Sequence, residues 1–173
     1  MNRKEFYSLL DNWENIHLLI NYLTDYPNQL DALIAIGLSN DQKENWRAIW
    51  IADKIHEKHP ELIRPYLGQL TEALKTTSCD SKLRHLLKLI SLNPIDQQHL
   101  SFLLAYCLEL VDNATSPIAN RVHGMQILFE ISEQEPELKP ELIQLFEHEL
   151  EKHESPAIRS RGKRLLKKLY SAT

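Results

Sequence analysis

PELIRPYLGQLTEAL, residues 60–74, lays down turn after turn of one apolar helix face, and PELKPELIQLFEHEL, residues 136–150, lays it down again. In the first stretch Leu62, Ile63, Tyr66, Leu67, Leu70, Ala73 and Leu74 follow the i, i+3, i+4, i+7 spacing of a half-buried helix. In the second, Leu138, Leu142, Leu145, Phe146 and Leu150 take the same places. Working outward, Pro60 and Pro136 stand 76 residues apart, with Asn93-Pro94-Ile95 between them. Ser116-Pro117 and Ser155-Pro156 are separated by 39 residues, and Arg47, Arg84, Arg121 and Arg159 by 37, 37 and 38. Three ladders at nearly one period mark an internal repeat.

Each period holds two helical stretches. The chain divides into about five antiparallel hairpins, at 3–11 with 15–26, 28–38 with 42–58, 61–75 with 81–92, 95–111 with 117–134, and 137–153 with 156–171. Ser116 and Ser155 are placed to cap the helices that follow, each with proline at the first helical position. The segment 100–111 is apolar nearly all round, which predicts a central helix covered on both sides. A lone hairpin cannot bury its apolar face, whereas stacked hairpins cover one another. The last helix suits a terminal position, with Arg159, Arg161, Lys163, Arg164, Lys167 and Lys168 around a seam of Ile158, Leu165, Leu166 and Leu169.

Composition agrees with one folded, all-α domain over 1–173. Hydrophobic residues make up 43% and charged residues 25%, so the chain has enough apolar surface to fold. Four glycines are too few for folds that rest on tight turns or phosphate-cradling loops. The net charge of −4 lacks the basic excess that phosphate contacts favour. Two cysteines, Cys79 and Cys107, make no disulfide framework and fit a reducing compartment. No run approaches the roughly 18–20 apolar residues of a membrane span. A cytoplasmic location without membrane contact is the expectation.

PELIRPYLGQLTEAL, the loop TTSCD and then SKLRHLLKLI resemble a HEAT repeat, of the HEAT/armadillo type, and so does PELKPELIQLFEHEL followed by SPAIRSRGKRLLKKL. The resemblance covers about 28–171, with an atypical first hairpin. It implies a right-handed α-α superhelix, a solenoid whose concave surface serves as a protein-binding scaffold. Family members tend to carry an aspartate about six residues before the arginine, which this chain matches only at Asp41. Counted from each arginine, Trp50 aligns with Leu87, Gly124 and Gly162.

Candidate sites follow from residue chemistry. The arginine ladder reads first as part of the repeat, each guanidinium binding carbonyls or carboxylates of its own or a neighbouring hairpin. The alternative is that Arg47, Arg84, Arg121 and Arg159 line one surface and grip acidic groups of a partner. Trp46 and Trp50, one turn apart beside Arg47, are core by habit and a binding surface if they face outward. The eight histidines lack HExxH or Cys-x-x-Cys company and read as residues of solvated helix faces, so no metal is expected. Cys79 has no partner base in the sequence, and Gly-x-Ser-x-Gly, Walker A and Rossmann patterns are absent. Neither catalysis nor a cofactor is expected.

Charge separates near the carboxyl end. Residues 130–154 hold nine Glu and two Lys, whereas 155 onward holds six basic and no acidic residues. The basic end helix is expected to be a solvated cap, with contact to nucleic acid or to an acidic protein as its other reading. The functional expectation is therefore a non-catalytic scaffold for a protein partner. The runner-up is a nucleic-acid binder similar to the HEAT-like DNA glycosylases of alkylated bases.

Overall fold

The computed structural model describes residues 3–11 and 13–171, and every regular element among them is helical. They fall into two compact units, Met1–Leu89 and Ile90–Thr173.

The first unit holds α1 (Arg3–Asp11), α2 (Ile16–Asp25), α3 (Leu30–Leu38), α4 (Trp46–His56), α5 (Pro60–Ile63), α6 (Leu67–Glu72) and most of α7 (Asp80–Ser91). Its helices pack as an ordered stack. α1 meets α2 and α3, α2 meets α4, and α3 meets α4, so first helices touch first helices and second helices touch second helices. The middle of this stack is α4, which buries Ala48, Ile49, Ile51, Ala52, Asp53, Ile55 and His56.

The second unit holds α8 (Gln97–Asp112), α9 (Ile118–Gln134), α10 (Lys139–Lys152) and α11 (Pro156–Ser171). α8 packs on α9, α9 on α10 and α11, and α10 on α11. The seam expected on α11 is buried at Ile158, Leu165, Leu166 and Leu169. Among the described residues no helix is long and apolar enough to cross a membrane.

Three local expectations are corrected. Residues 61–75 do not form one continuous helix: α5 and α6 are joined by a 3-10 turn over Arg64–Tyr66, and another follows over Ala73–Lys75. Pro65 has no N–H for the helical ladder, and its ring crowds the carbonyl four residues back. Ser116 does not cap α9, whose N-cap residue is Pro117 in an extended conformation without a side-chain cap bond. The central helix is also not the one over 100–111. α8 buries a single stripe of Leu100, Leu103, Cys107 and Val111 and leaves Leu108 38% exposed. α9 buries ten of its 17 residues, because it lies between α8 on one side and α10 and α11 on the others. Apolar composition had marked the outer helix, while position in the stack decides burial.

Glycine here serves close approach, since no described glycine has a positive φ. Gly37 sits where α3 crosses α4: a Cβ added there would stand 2.9 Å from Ile49 Cγ1 and 3.3 Å from the Ile49 backbone nitrogen. Alanine gains about 1 kcal/mol over glycine in a helix, whereas overpacking costs roughly 1–3 kcal/mol. Gly37→Ala is therefore expected to destabilise the chain by about 1 kcal/mol, read from the urea midpoint, in the direction opposite to helix propensity.

Candidate functional site

The helices of the stack end in carbonyls that have no partner within the helix. Cations reach across to them. Arg47, on α4, donates from Nη1 to the Leu10 carbonyl near the end of α1 at 3.1 Å. Lys82, on α7, donates to the Ser39 carbonyl just past α3 at 2.8 Å and to Asn40 Oδ1 at 2.9 Å. Buried Asn45 joins it on the Ser39 carbonyl at 3.0 Å and also donates to Asp41 at 2.7 Å. Positive charge at a helix C-terminus is favoured by the backbone dipoles as well as by the hydrogen bond. Burial pushes the Lys82 ammonium below its ordinary value.

Arg121, on α9, does this work in the second unit. Its Nε and Nη2 donate to the Val111 carbonyl in the last turn of α8 at 3.0 and 2.7 Å. Nη2 also meets Glu149 of α10 and, at 3.0 Å, His153 Nε2. Arg121 and Glu149 are each 1% exposed. The reading of Arg121 as a partner-binding surface is thereby corrected, because its donors are turned inward among carbonyl, carboxylate and ring.

A second network joins α4 to α7. Asp53, 1% exposed, faces His85 Nδ1 at 3.0 Å and Lys88 Nζ at 2.8 Å. Lys88 continues to Glu57 at 2.9 Å, which Lys54 also holds at 2.9 Å. His85 Nε2 lies 3.3 Å from Arg84 Nη2. A guanidinium only donates, so this pairing selects the tautomer with hydrogen on Nδ1, which donates to Asp53. Trp46 stacks on the same imidazole, with ring centres 6.3 Å apart and planes 8° from parallel. Burial alone would raise the Asp53 pKa, but the His85 and Lys88 hydrogen bonds and the Lys88 charge together hold it below the ordinary 3.8.

These contacts sort the sequence candidates. Trp46 and Arg84 belong to one patch through His85, with Trp46 half-buried and Arg84 exposed. Trp50, half-buried, lies one turn along α4. Arg47 is directed instead to α1. On α11 Arg159, Lys163, Arg164, Lys167 and Lys168 are exposed and Arg161 is half-buried. The expectation of solvated histidines is corrected at His56 and His85, which are 7% and 5% exposed. Sequence reasoning missed Asp53, His85 and Lys88 as a group. The available signal was an aspartate on the apolar face of α4.

Within the second unit α9 and α11 form the corresponding pair. Arg161 and Arg164 both donate to Gln126, and Lys168 sits over the Phe129 ring at 5.1 Å. A pocket of about 460 Å³ opens beside them, lined by Phe129, Glu130, Glu133, Lys167, Lys168 and Ser171.

Comparison with known families places this stack. The model of the HEAT repeat domain matches residues 8–169, so the chain belongs to the HEAT repeat family. Neither the curated proteins nor the solved structures give a match. The family is one of helical-repeat scaffolds that commonly mediate protein interactions and are generally non-catalytic.

Two expected outcomes test the buried charges. Arg121→Met leaves Glu149 without its guanidinium and is expected to cost about 3–5 kcal/mol in urea unfolding, part of it recovered by adding Glu149→Gln. Asp53 has a depressed folded-state pKa, so its stabilisation is full above 3.8 and is lost as pH falls through the lower folded value. Asp53→Asn is expected to lower the urea midpoint at neutral pH and to flatten its decline on acidification.

Proposed function

We propose that the chain is a non-catalytic scaffold that binds a protein partner, and that in the first unit it does so over α4 and α7 around Trp46, Trp50 and Arg84. The observation that carries this reading is the Trp46–His85 stack, braced from beneath by Asp53 and Lys88. A half-exposed aromatic held in place before binding loses little freedom on binding, and tryptophan and arginine dominate interface hot spots. Membership of a family of interaction scaffolds supports the same conclusion. Two free cysteines, one of them buried, support a reducing, cytoplasmic setting.

The basic face of α11 favours a second reading, contact with nucleic acid. Against it stand Glu130 and Glu133, which line the pocket beside that helix. A phosphate backbone gives a steep loss of affinity with salt, roughly in proportion to the number of phosphates contacted.

Affinity capture followed by titration separates these readings. Arg84→Glu is expected to weaken binding of the recovered partner at least about tenfold, or ~1.4 kcal/mol, while the helical circular-dichroism signal of the chain is retained. Capture that recovers no reproducible protein, beside tight and salt-steep oligonucleotide binding, would replace the first reading with the second.

A further inference from the structure

Two guanidiniums of α11 converge on one neutral oxygen. Arg161 Nη1 and Arg164 Nη2 donate to Gln126 Oε1 at 2.8 and 2.9 Å, while Gln126 Nε2 is tied to Glu130 Oε1 at 2.6 Å. Among the described residues neither arginine forms an ion pair. Burial first, and then the Arg164 charge, press the Arg161 guanidinium below its ordinary value. A neutral amide positions two like charges without cancelling them. Each guanidinium has five N–H donors, and Gln126 engages one from each.

We infer that Arg161 and Arg164 are a preformed seat for a side-chain carboxylate of a protein partner, in an acidic segment whose neighbouring cationic residue enters the pocket lined by Glu130 and Glu133. The inference rests on the protein-binding reading above and gives it a chemistry at a second place. A carboxylate matches the planar fork of arginine and would cancel the charge that Gln126 leaves standing. Gln126 is 8% exposed and anchored at its far end by Glu130, so the two arginines are aimed before a ligand arrives. The adjoining pocket is of mixed sign, lined by Glu130, Glu133, Lys167 and Lys168; Lys139 pairs with Glu133 at 2.9 Å, so Glu130 is the carboxylate left for a partner's cation. A continuous polyanion would meet those two glutamates. A peptide in which an acid stands next to a lysine or arginine satisfies both signs.

The test uses the intact chain and random twelve-residue peptides displayed on phage. Enriched peptides are then synthesised with a fluorophore and titrated by anisotropy. They are expected to carry Asp or Glu beside Lys or Arg, and to bind R161Q/R164Q at least about tenfold more weakly than the parent. R159Q/K163Q removes the same charge from exposed positions of α11 and is expected to change affinity less than about twofold. Should R161Q/R164Q melt early, R161K/R164K keeps the charge without the fork and is expected to lose about fivefold. Equal losses in R159Q/K163Q and R161Q/R164Q overturn the site in favour of diffuse charge. A single-stranded or duplex oligonucleotide that binds tighter than every peptide, with a steep salt slope, overturns it in favour of phosphate. Peptides that lack acids, or that respond to Arg84→Glu alone, overturn the seat and leave the α4–α7 reading standing. That reading falls separately, when affinity capture recovers no protein.

Discussion

The inner face of a helix packed among others has no water to turn to, and α4 and α9 both present such a face within their units. Stripping water from an ion costs several kcal/mol unless a partner and further hydrogen bonds replace the lost hydration. Apolar residues meet this constraint freely; buried charges on such helices are matched across the packing surface. Asp53 is matched by His85 and Lys88 of α7, and Arg121 by the α8 carbonyl and Glu149 of α10. The matching fixes which residue faces which. Close packing already resists sliding by a residue, and a carboxylate with one imidazole and one ammonium in reach adds a directional constraint to it. These ionic groups join the close packing in matching neighbouring helices, and burial supplies most of the adhesion.

The same constraint explains why the site candidates divided as they did. Arginine at one period suggests one role in four places, but the role belongs to a position in space. The cation that reaches the end of α3, beside Asn45, is Lys82, two residues before the ladder's Arg84. Released from that work, Arg84 lies at the surface beside His85 and extends the Trp46 stack into solvent. A small slip in the repeat has moved one cation from construction to display.

Periodicity made the helix pairs readable, and their limits agree with α1 to α11 to within a few residues apart from the interruption at Pro65. Repeats are legible because every unit solves the same burial problem with the same spacing of leucine and isoleucine. Burial of whole helices was not legible from composition. Leu108 and Leu104 look as central as anything on α9, yet α8 is covered along one stripe only. Polar partners were less legible still. Nothing local ties Asp53 to His85 or Arg121 to Glu149, since 32 and 28 residues separate them and the pairing exists only after the helices dock. The half-exposed Trp46 was readable as a candidate, while its support from beneath was not.

The cations that close helix ends also impose a timetable on the emerging polypeptide. The carbonyl near the end of α1 waits for Arg47, 37 residues later, whereas the one past α3 meets Asn45 six residues on and gains the Lys82 charge only after 43. The end of α8 needs only Arg121, ten residues on. During synthesis, which delivers the amino-terminal part first, α1 emerges with an end that only the later α4 closes. The Arg121 guanidinium then waits a further 28 residues for Glu149, so the second unit too is closed by its later helices.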